Sequence, residues 1–106
     1  MAWYRGLLDS AGFDASYVGA ADDELHDEHI RRDTEVALSR AGDDVGTPIL
    51  TFHPGSETEA SFFGPVISKA PIGAEAHALW DGVETLATMS GLAELKRSNR
   101  LAPDFT

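Results

Sequence analysis

The sequence predicts an α+β fold in which a β-hairpin is flanked by an amino-terminal helical segment and one long carboxyl-terminal helix. Two observations predict it. Apolar residues recur at helical spacing before residue 42 and after residue 73, and two extended apolar runs lie between those regions. The chain has 106 residues, of which 42% are apolar, and this suits one small domain with a modest core.

The first helix is predicted over Trp3–Ala11, where the apolar side chains share one face. Gly12 ends this helix. Asp14 is predicted to cap a short helical turn that runs through Val18, since a carboxylate can accept the first free N–H groups of a helix.

A longer helix is predicted from Asp22 or Asp23 to about Arg40, with Gly42 at its carboxyl-terminal cap. Acidic residues fill its first turn and Arg40 lies in its last, so both ends complement the helix dipole.

Two strands follow, at Ile49–His53 and Ser61–Ile67, and the loop between them contains Pro54 and Gly55. The short connection favours an antiparallel pair. The nearly continuous apolar character of the first strand predicts that both of its faces are covered. Pro65 predicts an edge strand or a bulge in the second.

The last long helix begins after Gly73 and is predicted over Ala76–Ala87, where apolar residues recur at helical spacing. Ser90 and Gly91 end it. Leu92–Lys96 is predicted to add a final turn, and the tail from residue 98 to residue 106 is predicted to be irregular.

Composition excludes several classes of function. The net charge of −10 argues against a nucleic-acid partner, because binding phosphates requires a basic surface. No window approaches the roughly 18 apolar residues of a membrane helix, so no membrane contact is expected. The amino terminus does not resemble a secretory signal, and a cytoplasmic location is the expectation. The chain has no cysteine, which excludes a thiolate nucleophile or a thiolate metal site within these residues.

Histidines and aromatic residues leave alternatives open. His26 and His29 have the spacing of metal ligands, but a charged, solvated helix explains them better. His53 is interpreted as a loop histidine rather than a general base, since the sequence pairs it with no nucleophile and acid. Phe62–Phe63 and Trp80 are interpreted as core packing rather than as a pocket for an aromatic substrate.

Four motifs together carry a resemblance to a known family. They are Gly42–Pro48 with its Gly-Thr-Pro turn, Phe62–Lys69, Leu79–Asp81 and Glu94–Arg97. At these spacings the chain resembles DsbA-like thioredoxin-fold oxidoreductases, and within them the mycothiol-dependent reductase branch. The likeness extends from about residue 7 to residue 105.

The resemblance implies that only the carboxyl-terminal part of that fold is present. In the family, a strand, a helix opened by Cys-Pro-x-Cys and another strand precede an inserted helical domain, and no segment here corresponds to that opening unit. Residues 1–42 would then be the end of the helical insertion. Residues 43–106 would be the ββα half of a thioredoxin-like domain, so the fold is expected to be a partial thioredoxin-like one.

The resemblance also implies a binding site. In the family, a cis Thr-Pro peptide presents main-chain groups to a bound thiol or peptide. The matching residues are Val45, Gly46, Thr47 and Pro48, which are expected to bind substrate. It implies no catalytic residue, no metal ligand and no cofactor within the chain. The parent family uses a low-molecular-weight thiol such as mycothiol.

Three functions stay open. The chain is expected to be the carboxyl-terminal portion of a thiol-disulfide oxidoreductase or mycothiol-dependent reductase, inactive in redox chemistry by itself because it has no cysteine. The alternatives are a non-catalytic module that binds a small thiol or a protein, and a cysteine-free isomerase of the same wider fold family. Whether the chain is an enzyme is therefore left open.

A homodimer is the expected assembly. In the intact family fold, Ile49–His53 pairs with a first strand that has no counterpart here, and an unpaired apolar edge is a template for association. The simplest arrangement joins two such edges across a two-fold axis or exchanges helices between copies. A small thiol or a protein substrate is the other expected partner.

Overall fold

The computed structural model describes residues 2–106, which form two compact units, one ending at Val36 and the other running from Ala37 to Thr106. No helix within the described residues is long and apolar enough to cross a membrane. The assignment of residues 1–42 to a helical insertion and of residues 43–106 to a ββα half rests on the family resemblance, and it stays a prediction.

The first unit begins with helix α1, Ala2–Ser10, followed by a 3₁₀ helix, Ala15–Asp22. Gly12 separates them with a φ of +76°, a conformation that glycine adopts without strain. The Asp14 carboxylate accepts a hydrogen bond of 2.8 Å from the Ser16 N–H, which confirms the predicted cap. Hydrogen bonds from Ser16 also lower the pKa of Asp14.

Helix α2 spans Leu25–Ala41 and begins later than predicted. Asp22 belongs to the preceding 3₁₀ helix, and the Asp23 carboxylate accepts the Leu25 N–H at 3.0 Å. The helix ends as predicted at Gly42, which has a φ of +99° and donates its N–H to the Leu38 carbonyl at 2.8 Å. Local capping chemistry therefore sets both ends.

The second unit contains the predicted antiparallel hairpin. Strand β1, Ile49–Phe52, pairs with strand β2, Ala60–Phe63, in a register that places Ile49 opposite Phe63 and Phe52 opposite Ala60. Both strands are shorter than predicted. His53 leaves β1 with a φ of +50°, and β2 stops at Gly64, whose φ is +110°. Pro65 then supplies no N–H to continue the ladder.

Helix α3, Ala74–Ala87, packs against the hairpin. Phe52 and Ala87 are the buried apolar side chains of the described residues, 6% and 7% exposed. The Phe52 ring lies 5.3 Å from the Trp80 ring, centroid to centroid, at an angle of 55°. This contact supports core packing for Trp80, although 53% of that residue is exposed.

The predicted helical turn at Leu92–Lys96 is wrong. The Leu92 N–H donates to the Met89 carbonyl at 3.0 Å, and residues 92–97 have no helical structure. Leu95 is exposed, so a helix there would have no apolar surface against which to pack, and so short a helix is unstable without such packing.

The tail is irregular in itself, as predicted, but it is anchored. Asp104 forms a parallel β-bridge with Lys69, and its N–H donates to the Ser68 carbonyl at 2.7 Å. The Lys69 Nζ donates to the Asp104 Oδ2 at 2.9 Å. Thr106 donates its hydroxyl and its N–H to the other carboxylate oxygen, at 2.6 Å and 3.0 Å.

These contacts predict an unusual acid tolerance of the tail. The Thr106 hydrogen bonds, with the Lys69 ammonium, lower the pKa of Asp104 from 3.8 to about 2. Because the folded pKa lies below the unfolded one, the carboxylate's contribution is complete above about pH 4 and is lost as the pH falls through about 2. The Asp104 and Thr106 NMR shifts should stay constant from pH 7 to about 4 and then change with a midpoint near pH 2. A transition midpoint near pH 4 would contradict this expectation.

Glycine substitutions provide a matched pair of stability predictions. Gly64→Ala should lower the free energy of unfolding by roughly 1–3 kcal/mol, because Gly64 is buried at a φ of +110°. Gly82→Ala should raise it by about 0.5–1 kcal/mol, because Gly82 lies inside α3 and a Cβ there would meet nothing within 4 Å. Urea titration of both variants measures the difference, and equal effects would show that the Gly64 conformation relaxes freely.

Candidate functional site

The four predicted binding residues form the loop that enters β1. Val45 is partly buried, whereas Gly46, Thr47 and Pro48 are exposed. The Thr47–Pro48 peptide bond is cis. The loop therefore presents its backbone at the surface, directly before the first residue of the hairpin.

Contacts with the end of β2 hold this loop in place. A Cβ on Gly46 would lie 3.3 Å from the Cε2 of the Phe63 ring, so glycine permits the ring to cover the backbone closely. The Gly64 N–H donates to the Pro48 carbonyl at 2.8 Å and extends the hairpin ladder by one pair. One side of the loop is thus fastened to β2.

The opposite side of the loop and of β1 is open. Gly64 and Pro48 form a hydrogen-bonded pair, and in an antiparallel ladder such pairs alternate, so Leu50 and Phe52 also direct their peptide groups toward β2. Ile49 and Thr51 must therefore direct theirs outward. The sheet has two strands within the described residues, and those outward groups line its free edge.

Thr47 lies two residues before β1, on the other side of the cis peptide bond. No hydrogen bond joins its N–H or C=O to another group among residues 2–106. A row of free donors and acceptors accepts an extended peptide or an amide by β-type pairing. Neither the loop after Asp44 nor β1 carries a charged side chain. This chemistry suits a ligand bound through its amide groups rather than through ionic contacts.

A polar cluster at the hairpin turn escaped sequence reasoning. The His53 Nδ1 lies 3.1 Å from the Thr58 Oγ1, and its Nε2 lies 2.9 Å from the Glu84 Oε1. Ser56 lies beside them, with its Oγ 3.1 Å from the Thr58 Oγ1. Glu84 is 31 positions from His53, and no local pattern signals a pair so distant.

The cluster lacks the donors that acyl transfer requires. An oxyanion needs free, convergent N–H groups, and the turn uses those of Gly55, Ser56, Thr58 and Glu59 internally. His53 is better explained as a structural residue that links the turn to α3 through Glu84. This agrees with its interpretation as a loop histidine rather than a general base.

The remaining histidines on α2 each face a carboxylate. His26 lies 3.9 Å from Asp23, and His29 lies 3.4 Å from Asp33. No group of three or more potential metal ligands comes together in the part of the chain that the structure describes. A charged helix face accounts for both residues.

A known protein family matches most of this chain. The family model described as Rv2466c-like: Mycothiol-dependent nitroreductase Rv2466c matches residues 2–97. The match includes α1, α2, the loop Val45–Pro48, the hairpin and α3. It therefore covers the candidate site together with the elements that position it.

Proposed function

This chain belongs to the Rv2466c-like family of mycothiol-dependent nitroreductases, and we propose that it supplies the substrate platform of such a reductase without its reacting sulfur. In this proposal the chain corresponds to the carboxyl-terminal portion of a DsbA-like fold. Val45, Gly46, Thr47 and Pro48 bind a thiol or peptide substrate through main-chain groups. The reduction itself requires a thiolate from outside these 106 residues.

The absence of cysteine makes this division of labour necessary. Thiol-disulfide exchange proceeds by attack of a thiolate on sulfur, and no residue among the 106 is a cysteine. Low-molecular-weight thiols of the mycothiol class supply that sulfur chemistry when bound. The chain's own contribution is to orient the ligand, and a cytoplasmic location, where thiols are kept reduced, belongs to the proposal.

The open backbone of Thr47 is the observation that carries the proposal. Its N–H and C=O have no partner within the described residues, and the loop that holds them is fastened to β2 by the Gly64–Pro48 hydrogen bond. A fixed donor and acceptor fit one amide of a ligand, because an amide carries one of each. The alternative of a non-catalytic protein-binding module uses the same edge with a longer extended peptide.

An NMR titration with mycothiol tests the proposal. We expect the amide signals of Gly46, Thr47 and Ile49 to shift together and those of Gly19 and Gly82 to stay constant. An S-methylated mycothiol should bind as well, because the platform contacts amide groups rather than sulfur. Shifts confined to other regions, or none at millimolar ligand, would contradict the assignment of the site.

A redox assay separates the platform from the chemistry. The chain alone, supplied with mycothiol and a nitroaromatic compound, should reduce nothing above the rate of mycothiol itself. Reduction by the cysteine-free chain would show that another group carries electrons. The proposal that the chain only binds the substrate would then be wrong.

We further propose that two copies associate through the free edge of β1, with helix exchange as the second possibility for a homodimer. The edge carries outward peptide groups at Ile49 and Thr51, and β1 carries no charged side chain. Two copies with a net charge of −10 each repel one another, so added salt should strengthen the dimer. Light scattering between about 10 μM and 1 mM protein, with and without salt, measures this. A monomer throughout would contradict it.

A further inference from the structure

The tail occupies a second acceptor of extended chain, distinct from the β1 edge. Three polar contacts join it to Ser68 and Lys69: the Asp104 N–H to the Ser68 carbonyl at 2.7 Å, the Ser68 hydroxyl to the Leu101 carbonyl at 3.2 Å, and the Lys69 ammonium to the Asp104 carboxylate at 2.9 Å. We call Ser68–Lys69 the tail acceptor. Its recognition chemistry is a short parallel β-bridge with an adjacent ion pair.

Apolar packing contributes little to this docking. Beside the acceptor lies an open cavity of about 320 Å³ whose lining includes Ile67, Ala70 and Phe105, yet Phe105 is 95% exposed. The contact depends on hydrogen bonds and on one exposed ion pair, and an ion pair of that kind contributes only about 0–1 kcal/mol. Docking of this strength is reversible.

The segment before the tail belongs to no helix or strand. Helix α3 ends at Ala87, and residues 93–100 make no backbone–backbone hydrogen bond with any described residue. Eight extended residues, 93–100, reach about 26–29 Å. The tail can therefore leave its own acceptor and reach another copy while every helix and strand stays formed.

We propose that the tail acceptor also takes residues Leu101–Thr106 of a second copy of this chain, so that two copies exchange tails. The chain's own tail shows which groups the acceptor binds. It offers an extended backbone whose Asp104 N–H is donated to Ser68, and a carboxylate that lies beside the Lys69 ammonium. A second copy offers both groups in the same order. Exchange in both directions satisfies both acceptors and closes the assembly at two chains. This proposal is independent of the β1 edge and of the proposed function.

A charge exchange tests it with full-length chains. In a Lys69→Asp chain two carboxylates face each other, and in an Asp104→Lys chain two ammonium groups do, so tail docking is weakened within each variant and between copies of the same variant. When the two variants are mixed, each acceptor meets a complementary tail only in the other chain. We expect the mixture to form heterodimers with a dissociation constant at least about tenfold below that of either variant alone.

The double variant Lys69→Asp/Asp104→Lys is the matched control. It restores complementary charges within one chain, so it should show no such preference for a partner of the other kind. Circular dichroism confirms that each variant is folded. The proposal is wrong if both single variants are folded, NMR shows a docked tail in the double variant, and the mixture of single variants still forms no heterodimer. Neither substitution lies in β1. Dimerisation through the β1 edge, whether or not it occurs, would therefore be the same in all of these variants.

A labelled peptide provides a measurement that does not need heterodimers. A fluorescent peptide with the sequence of residues 98–106 should bind the Asp104→Lys chain about three- to fivefold more tightly than the wild type. The wild-type tail competes from the same chain at a high effective concentration, and in the variant it does not. Equal binding to both chains, or binding to Lys69→Asp as tight as to Asp104→Lys, would refute the tail acceptor.

Discussion

Replacing Phe52 with alanine is expected to lower the free energy of unfolding by about 3 kcal/mol, a large fraction of the stability expected for a unit of this size. Phe52 ends β1, is 6% exposed and packs against the Trp80 ring of α3. It joins the hairpin to the helix that covers it, and the second unit has few other buried contacts that could compensate.

Urea unfolding monitored by circular dichroism measures the loss. Ile72→Ala is the matched control, because it also removes a large apolar side chain but at a position 84% exposed, and it should change stability by less than about 0.5 kcal/mol. A double-mutant cycle with Trp80→Ala should give a coupling energy of about 0.5–1.5 kcal/mol between the rings. A Phe52→Ala cost below 1 kcal/mol would show that the hairpin is stable without α3.

Local features of the sequence were sufficient to predict the elements. The hairpin, the Asp14 cap and the Gly42 terminus follow from turn chemistry and capping, which act within a few residues. The apolar pattern predicts the ends of both strands too late in the sequence, because the positive φ angles at His53 and Gly64 cannot be read from that pattern. The turn expected at Leu92–Lys96 failed because helical spacing alone does not supply a surface to pack against.

The site was predictable only in part for a related reason. Family likeness identified Val45–Pro48 as a contiguous loop, but the direction of each peptide group depends on the register with β2. Contacts such as those of His53 with Glu84 and Lys69 with Asp104 join positions 31 and 35 residues apart. Pairs this distant are set by the packing of whole elements, and periodicity and spacing do not encode them.

Proline substitutions in β1 should separate the free edge from the hairpin ladder. Thr51→Pro removes an N–H that points outward, so it should raise the dissociation constant of a β1-edge dimer at least about tenfold while the hairpin persists. Leu50→Pro removes an N–H that points toward Phe62 and should cost roughly 1–3 kcal/mol in stability, because it breaks a hydrogen bond of the ladder itself. The two variants are neighbours in one strand and differ in which edge they block.

Thr51→Val completes the experiment, because Thr51 also has a side-chain role. Its Oγ1 lies 2.8 Å from the Ser61 Oγ, and losing that hydrogen bond should cost about 1 kcal/mol in either substitution. The valine variant keeps the outward N–H and should therefore dimerise like the wild type, whereas the proline variant should not. Sedimentation equilibrium measures association and urea titration measures stability on the same samples. If Thr51→Pro dimerises like the wild type while it is folded, the free edge of β1 is not the contact between copies. The proline variant has lost the outward N–H that such a contact needs, whereas the valine variant keeps it.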